Sequence, residues 1–321
     1  MSIFITGVAG FVGTNLAATM LKRGDKVSGF DNLSLGSAHN VEAVRRHGAF
    51  TFEIVDLADV DAYRRALRAL HARSPITEIW HLAASSDIAA GVADAGVDLR
   101  DTFMTTFNTL LLMKELGIET IVFASSSAVY GDLGDRKLSE DAGPLFPISN
   151  YGAMKLASEG AISAALESHL KRAFVFRFPN VTGVPATHGV ILDFVRKLRA
   201  TPDNLDVLGD GSQRKSYLHV EELVDAMLFV RSRASERLSY YNIGADDEGV
   251  TVRFIAEQVV QLVAPGARIS FGLGNKGWVG DVPKFAYSTD KLSRLGWRPT
   301  LTSAEAIRKA IGQVAEQERA R

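Results

Sequence analysis

Short apolar runs alternate with helical patterns over the first 180 residues, and this alternation constrains the fold more than any other feature. Six runs rich in β-branched and aromatic residues predict strands, at 3–6, 26–30, 50–55, 78–82, 119–124 and 172–178. The stretches between them predict helices near 12–23, 59–72, 98–116 and 151–169. Nearly continuous apolar strands separated by helices are typical of a parallel sheet covered on both faces. The predicted fold class is therefore α/β, with a doubly wound parallel sheet.

The alternation of apolar runs and helical patterns ends after residue 180, where loops with Gly and Pro separate a few helices. The amphipathic segment at 219–233 and the strand-like "YYNIG" at 240–244 indicate that the chain returns to the sheet there. The predicted larger domain is therefore 1–180 plus about 217–245. The predicted smaller domain, discontinuous and also α/β, is about 181–216 plus 246–321.

Composition excludes several classes of function. The chain has 36 basic and 37 acidic residues, so no broad basic field is available to bind nucleic acid. It has no cysteine, which removes disulfides and thiolate chemistry. No apolar stretch approaches the roughly 20 residues that cross a bilayer, and the chain runs from Met1 into a glycine turn without a basic leader. These features predict a cytoplasmic protein without a membrane partner.

The turn after the first strand reads "TGVAGFVG", with Gly7, Gly10 and Gly13 three residues apart. A strand before it and a helix after it are the setting in which such a turn brings backbone N–H groups and a helix N-terminus against a pyrophosphate. A side chain at these positions would block that approach. The turn thus predicts a Rossmann-like dinucleotide site, although glycines alone also suit a plain tight turn.

Asp31 ends the second predicted strand, 18 residues after Gly13. A carboxylate there can accept hydrogen bonds from a ribose diol and would repel a 2′-phosphate, so NAD is favoured over NADP. Asp56 and Leu57 follow the third strand and are placed to meet the adenine. Asp56 alone would equally suit a helix N-cap.

Tyr151 and Lys155 stand four residues apart on a predicted helix, so their side chains share one face. A free phenol, with a pKa near 10, is a poor base at neutral pH. The Lys155 ammonium and an oxidised nicotinamide would both favour the phenolate and lower the pKa of Tyr151. Ser126, at the end of the fifth strand, could bind the same substrate hydroxyl. Singly, these residues also suit a loop serine, a core-edge aromatic and a solvated lysine.

The same chain carries "TGVAGFVG", "DNLSLG" (31–36), "HLAA" (81–84), "SSSAVYG" (125–131), "YGAMK" (151–155) and "RFPNVTG" (177–183). With these motifs it resembles the extended short-chain dehydrogenase/reductase family, in its nucleotide-sugar epimerase/dehydratase branch. The resemblance covers nearly the whole chain. It implies an NAD-binding larger domain, a nucleotide-sugar substrate domain, and a homodimer joined by a four-helix bundle of the helices near 98–116 and 151–169.

Site residues follow from the resemblance, position by position. The catalytic residues would be Ser126, Tyr151 and Lys155. Residues implied to bind the cofactor are Gly7, Gly10, Phe11, Val12, Gly13, Asp31, Asn32, Asp56, Leu57, Leu82, Ala83, Ala84, Tyr151 and Lys155. Residues implied to bind the substrate are Ser126, Ser127, Asn180, Val190, Arg214, Lys215 and Phe285.

Departures from the family pattern narrow the implied reaction. Dehydratases of the family carry an acidic residue two positions after the catalytic serine or threonine, whereas this chain has Ser127-Ala128 there. Small residues at these positions resemble the family's UDP-hexose 4-epimerases. Trp278 replaces an Arg that often binds the diphosphate, and the bulk of Phe285 favours a sugar without an N-acetyl group.

The implied reaction is NAD-dependent 4-epimerisation of a nucleotide hexose through a 4-keto sugar. Two other function classes stay open: a 4-ketosugar reductase that consumes NAD(P)H, and a non-catalytic NAD-sensing protein. Arg196, within the charged run 196–200, suits a solvated helix face or, as a minority interpretation, a contact to a uronate. The seven histidines are scattered, so no metal site is predicted, and His81 suits packing or hydrogen bonding.

Overall fold

A computed structural model describes residues 1–134, 136–274 and 286–320. Trp278 and Phe285, for which the sequence analysis considered contacts with the substrate, lie outside the described residues. The chain divides into two compact units. The larger comprises Met1–Gly131, Pro144–Arg177 and Met227–Tyr241, and the smaller comprises Asp132–Gly143, Phe178–Ala226 and Asn242–Arg321.

The larger unit is built on a seven-stranded sheet. Its strands are β1 (Ser2–Thr6), β2 (Lys26–Asp31), β3 (Phe50–Ile54), β4 (Glu78–His81), β5 (Thr120–Ser126), β7 (Arg172–Phe178) and β12 (Leu238–Asn242). Their order is β12-β7-β5-β4-β1-β2-β3, and the pairs from β5 to β3 run parallel. The predicted doubly wound fold class is confirmed, because the strand order reverses direction between β1 and β4.

Helices accompany this sheet in the order that the sequence predicts, with additions. They are α1 (Phe11–Lys22), α2 (Ala38–Arg45), α3 (Val60–Arg73), α4 (Ile88–Ala93), α5 (Ala95–Asp98), α6 (Thr105–Leu116) and α7 (Asn150–Leu166). A π-helix, Leu99–Met104, joins α5 to α6, and a 3-10 helix, Ser127–Tyr130, follows β5. The single helix predicted over 98–116 is therefore wrong at its start, where a wider turn replaces the α-helix.

The central strands of the sheet are buried on both faces. Ile5, Phe4 and Trp80 on β1 and β4 are fully buried, as are Ile121 and Phe123 on β5. β3 differs from the expected strand covered on both faces, since Ile54 is 65% exposed. It lies at one end of the strand order, so the helix layer covers it less than it covers the central strands.

The smaller unit has its own core around α8 (Val190–Ala200), α10 (Val252–Val263) and α12 (Ser303–Arg319). Its remaining elements are β6 (Lys137–Leu138), β8 (Asn180–Thr182), β9 (Asn204–Val207), β10 (Arg214–Lys215), β11 (Tyr217–His219), β13 (Val250–Thr251), β14 (Arg268–Phe271), β15 (Ala286–Tyr287) and α11 (Asp290–Leu295). These strands form two-stranded sheets, and α9 (Val220–Arg233) passes from the smaller unit to the larger.

The unit boundaries differ from the predicted domains by a few residues at 178–180 and 242–245, and by more at two longer segments. Residues 132–143 belong to the smaller unit, because β6 within them pairs with β15. Residues 217–226 also belong there, because β11 pairs with β8. The assignment of cofactor to one unit and substrate to the other stays a prediction.

Among the described residues, no helix is both long enough and apolar enough to pass through a lipid bilayer.

Candidate active site

The glycine turn has no room for side chains at two of its three glycines. Gly7 has a φ of +69°, and a Cβ on it would lie 2.9 Å from the backbone N of Ala83. A Cβ on Gly13 would lie 2.2 Å from the carbonyl oxygen of Gly7. Gly7 therefore permits the sharp exit from β1, and Gly13 permits α1 to pack directly on the turn.

Gly10 is the N-cap of α1 in extended conformation, and no side chain caps the helix there. The first turn of α1 also contains no acidic residue. Its N–H groups and the positive end of the helix dipole are thus left for an anion. Phe11 and Val12 begin the helix, so the predicted pyrophosphate site has the backbone arrangement that it needs.

Asp31 ends β2 beside this turn and is 6% exposed. Its carboxylate accepts hydrogen bonds from Ala9 N, at 3.0 Å, and Leu33 N, at 2.8 Å. Burial raises the pKa of Asp31, and these backbone donors oppose the rise. Each carboxylate oxygen has a second lone pair, so Asp31 can still accept a bond from a ribose hydroxyl. Asn32 turns its side-chain oxygen to Ser34 N instead.

Thr6 brings the segment Leu82-Ala83-Ala84 to the turn. Its hydroxyl accepts hydrogen bonds from Leu82 N, at 3.1 Å, and Ala83 N, at 3.2 Å. Its partner on the other side is His81 Nδ1, at 2.8 Å. The structure therefore places two of the predicted cofactor segments side by side.

Asp56 does not cap the following helix, because Asp59 accepts the bonds from Asp61 N and Ala62 N at the start of α3. The Asp56 carboxylate accepts from Ala58 N and forms an ion pair with Arg100. Arg100 lies 44 residues away and belongs to no recognised motif, so the sequence did not predict its role. Leu57 is buried, and its carbonyl oxygen accepts a bond from Asn108 Nδ2 at 2.9 Å.

The structure brings the side chain of Tyr151 close enough to Ser126 for the serine hydroxyl to lower the pKa of the tyrosine. Ser126 ends β5, and its hydroxyl accepts from Ala128 N, at 3.2 Å, as it caps the 3-10 helix. Tyr151 lies in the first turn of α7, which Ser149 caps. A Cβ on Gly152 would lie 2.5 Å from the carbonyl oxygen of Ala128, so that glycine lets α7 pack on the 3-10 helix. Ser127, the second serine of the loop, is buried.

Lys155 is 1% exposed beneath Tyr151. Its ammonium donates to the carbonyl oxygen of Ala124 at 2.7 Å, and it lies 4.7 Å from the ring centroid of Phe123 and 5.7 Å from that of Tyr151. The predicted common helix face of Tyr151 and Lys155 is confirmed by this contact. The alternative of a solvated lysine is wrong, because the side chain is buried.

The protonation of the pair is dominated by burial. Burial lowers the pKa of Lys155 to about 7, with Glu159 and then Asp98 opposing the fall. Burial raises the pKa of Tyr151 to about 12, although the hydrogen bond with Ser126 lowers it in part. The expected lowering of the tyrosine pKa is thus not found in the protein alone, since Lys155 is not among the groups that shift it.

A buried ion pair supports this loop from behind. Arg177 donates to both oxygens of Glu159, at 2.9 and 2.6 Å, and to the hydroxyl of Tyr130, at 3.1 Å. Ser125 donates to Glu159 at 2.5 Å. The segment 125–130 is therefore tied to α7 and β7 on both sides of Ser126, which fixes the serine relative to the tyrosine.

His81 has the hydrogen-bonding role that the sequence predicts. It is fully buried, contacts Thr6 through Nδ1 and Thr106 through Nε2, at 3.0 Å, and stacks on Phe123. Burial lowers its pKa to about 3, so the imidazole is neutral at physiological pH. Throughout the described ranges no group of three potential ligands among His, Cys, Asp and Glu is placed to hold a metal ion.

The remaining predicted substrate residues belong to the smaller unit. Asn180 begins β8 and pairs with Tyr217, and Val190 begins α8. Arg214 and Lys215 form β10, where Arg214 donates to the carbonyl oxygen of Gly249 at 3.1 Å. Their role in binding substrate stays a prediction.

Arg196, also in the smaller unit, donates to both carboxylate oxygens of Glu318, at 3.0 and 3.3 Å. The guanidinium of Arg196, which the minority interpretation assigned to a uronate, is thus paired with the buried Glu318. This ion pair argues against that interpretation.

Comparison with known proteins gives a consistent result. The family model of the NAD dependent epimerase/dehydratase family matches residues 3–244. A crystal structure of UDP-galactose 4-epimerase is 34% identical, with a TM-score of 0.85 over 99% of both chains. The UDP-glucose 4-epimerase of Thermus thermophilus, in complex with NAD, is 29% identical, with a TM-score of 0.84 over 98% of this chain and 99% of that one. A UDP-glucose 4-epimerase of Mycolicibacterium smegmatis is 29% identical over 97% of both chains.

Proposed function

Because the chain belongs to the NAD-dependent epimerase/dehydratase family, an enzyme family whose cofactor is NAD, we propose that it epimerises a nucleotide hexose at C4. The proposed substrate is a UDP-hexose, such as UDP-glucose and UDP-galactose or a UDP-uronate. The observation that carries the proposal is the contact between Tyr151 and Ser126 above the buried Lys155. Similarity to the 4-epimerases described above supports it.

The residues of the larger unit fit NAD. The backbone of the turn at Gly7 and Gly13 leaves no space for side chains, and the uncapped start of α1 suits a pyrophosphate. Asp31 is placed next to that turn, where a ribose diol would meet its carboxylate. When bound, NAD supplies a hydride acceptor that later acts as a hydride donor.

Tyr151 is the proposed base. Its phenolate oxygen would take the proton of the C4 hydroxyl and return it when the 4-keto sugar is reduced on its opposite face. Ser126 would donate a hydrogen bond to the C4 oxygen of the sugar and stabilise the negative charge that develops on it. The ammonium of Lys155 would favour the phenolate during that exchange. No proton is consumed overall, as a redox-neutral reaction requires.

The residues that follow Ser126 favour epimerisation over dehydration. Ser127 and Ala128 begin the 3-10 helix, so neither position supplies the carboxyl group that elimination of water needs. The second candidate, a 4-ketosugar reductase, would use the same Ser126 and Tyr151. Asp31 disfavours it mildly, since its charge disfavours NADP. The third candidate, a non-catalytic NAD-sensing protein, would not require Ser126 and Tyr151 to lie close together.

The smaller unit is proposed to hold the nucleotide sugar through Asn180, Val190, Arg214 and Lys215. Firm contacts to the nucleotide and loose contacts to the sugar would let the 4-keto sugar turn between the two hydride transfers. Exclusion of water would protect that intermediate.

We also propose a homodimer through α6 and α7. On the helical segment that leads into α6, Leu99 is 50% exposed, and on α6 Phe107 is 47% exposed. The rings of Phe103 and Phe107 lie 6.4 Å apart on this surface. Sedimentation of the protein beside a Phe107→Glu variant tests the dimer: the proposal requires that the wild type sediments as a dimer and the variant does not.

The function is tested by incubating the protein with UDP-, dTDP-, GDP- and ADP-hexoses and UDP-glucuronate without added cofactor, and resolving the products by chromatography. We expect a C4 epimer from a UDP-sugar with no net change in absorbance at 340 nm. A stoichiometric change at 340 nm would support the reductase. Unchanged turnover in Tyr151→Phe would disprove the proposed chemistry.

A further inference from the structure

Asp98, the last residue of α5, has a carboxylate that the chemistry above does not use. It is fully buried, and neither oxygen has a hydrogen-bond partner among the described residues. A Cβ on Gly91 of α4 would lie 1.9 Å from its Oδ2. The absence of a side chain at Gly91 thus creates the space that the carboxylate occupies. A buried carboxylate without hydrogen bonds is costly, so its position calls for an explanation.

The charged and titratable groups around Asp98 identify its partner. Asp87, at the start of α4, and Asp101, on the π-helix, repel it, whereas Lys155 on α7 attracts it. Tyr151 is the other titratable group of α7 that interacts with it. Helix α5, which ends at Asp98, packs against α7, so Lys155 on α7 is the cation toward which the charge of Asp98 acts.

Lys155 in turn has few compensating groups. Its ammonium has one hydrogen bond, to the carbonyl oxygen of Ala124, and two carboxylates act on it, those of Glu159 and Asp98. Glu159 accepts hydrogen bonds from Nε and Nη2 of Arg177. The buried set of two cations and two carboxylates is neutral only when Asp98 is ionised. Asp98 supplies the negative charge that Arg177 does not already neutralise.

We propose that Asp98 is a positioning residue that acts as the buried counter-ion of Lys155 and, through it, tunes the base Tyr151. The proposal rests on the proposed function of Tyr151 but concerns a residue outside its contacts with substrate. Ionised Asp98 keeps the ammonium of Lys155 charged in an apolar surrounding. It also disfavours the phenolate of Tyr151, so both groups titrate at higher pH than they would without it.

The protonation behaviour supports the same assignment. Burial, together with the charges of Asp101 and Asp87, raises the pKa of Asp98 to about 6, and Lys155 lowers it. Loss of the Asp98 charge should lower the pKa of Lys155 further, and should lower the pKa of Tyr151 as well. A merely structural role for Asp98 would shift neither group.

The test uses Asp98→Asn, which keeps the size of the side chain and removes its charge. In the NAD-bearing protein with [ε-¹³C]lysine, assigned through Lys155→Met, we expect the Lys155 signal to titrate about one pH unit lower than in the wild type. The pH profile of kcat/KM should shift to lower pH at both limbs. Asp87→Asn is the matched control: it removes a nearby exposed charge and keeps the cap of α4, so its shift should be much smaller.

Two further measurements keep the proposal testable if Asp98→Asn does not fold. Gly91→Ala would displace the carboxylate without removing it, and should shift the Lys155 titration in the same direction. In the wild type, the Lys155 signal should show a second inflection near pH 6, where Asp98 titrates. A Lys155 titration without that inflection, or one unchanged in Asp98→Asn, would overturn the proposal. An inactive wild type with the expected shift would reject the proposed function alone.

Discussion

Substitution of Gly13 by Ala probes the link between the turn and the cofactor. The added Cβ would lie 2.2 Å from the carbonyl oxygen of Gly7 and 2.8 Å from Cα of Val8. Both are backbone atoms, so no side chain can rotate to relieve the clash. The start of α1 must move away from the turn by about 1 Å to reach ordinary contact, and overpacking of this kind costs about 1–3 kcal/mol.

The same movement disturbs the anion site. The carbonyl oxygen of Gly7 accepts a bond from Gly10 N at 3.1 Å, which holds the turn closed below the helix. If the whole cost of about 1–3 kcal/mol falls on the cofactor complex, the affinity for NAD decreases by about 5- to 150-fold. Any part of this cost that destabilises the folded protein itself decreases the free energy of unfolding by the same amount.

Urea unfolding of the protein and isothermal titration with NAD together measure both parts. Gly48→Ala is the control: it lies in the same unit, nothing is within 4 Å of the added Cβ, and its φ is not in the left-handed region. We expect this control to leave NAD binding unchanged and to stabilise the protein by about 0.4–1 kcal/mol. A Gly13→Ala variant with wild-type stability and wild-type NAD affinity would refute the reasoning from backbone proximity.

Three further substitutions test the loop around Ser126. Gly152→Ala should lower kcat at least about 10-fold with NAD binding retained, because its Cβ would lie 2.5 Å from the carbonyl oxygen of Ala128 and move Tyr151. Glu159→Gln should destabilise the protein by about 3–5 kcal/mol in urea unfolding, because it removes the negative charge that faces the buried guanidinium of Arg177. Lys155→Met should abolish turnover yet raise the free energy of unfolding by about 1–3 kcal/mol below pH 6, because it removes a buried charge where Asp98 is protonated and needs no counter-ion.

The last gain depends on pH in a defined direction. The pKa of Lys155 is lowered to about 7 in the folded protein, from 10.5 for an unperturbed lysine. The folded state therefore binds fewer protons than the unfolded state between these values, and the wild type gains stability as pH rises through this window. The advantage of Lys155→Met should shrink from pH 7 to 10.5. An advantage that is constant across this range contradicts the assigned burial of the ammonium.

Controls separate these effects from general damage. Glu115→Gln affects a more exposed ion pair, with Arg64 and Arg68, and should cost less than about 1 kcal/mol. Should it cost as much as Glu159→Gln, burial of the pair would not be the cause. A Gly152→Ala variant that loses NAD as well as activity would mean that the perturbation spreads beyond the loop.

The sequence predicted the strands of the larger unit closely, because each is a short apolar run with clear breaks on both sides. The strand predicted at 172–178 agrees with β7, and the strand predicted at 240–244 lies two residues beyond the start and end of β12. The sequence did not reveal the π-helix before α6, since periodicity over 98–116 does not distinguish a wide turn from an ordinary one. It also missed β6, whose pairing with β15 joins residues almost 150 positions apart.

The site was predictable where chemistry depends on spacing along one element. Tyr151 and Lys155 share a helix, and Gly7 to Gly13 form one turn, so a short motif contains the whole arrangement. Asp98 and Arg100 could not be recognised in this way. The carboxylate of Asp98 is notable because it has no hydrogen-bond partner among the described residues, and Arg100 is notable because it pairs with Asp56. Only the packing of segments that are distant in the sequence reveals these two facts.

The path of the chain through the sheet has a consequence for synthesis on the ribosome. β12 adds an outer strand next to β7, yet it begins at Leu238, 60 residues after β7 ends at Phe178. A nascent chain released at residue 200 would therefore carry β7 with an unpaired edge, open to pairing with another such chain. Fragments that stop before Asn242 should aggregate. A chaperone that shields the free edge of β7 would be needed until β12 has been synthesised.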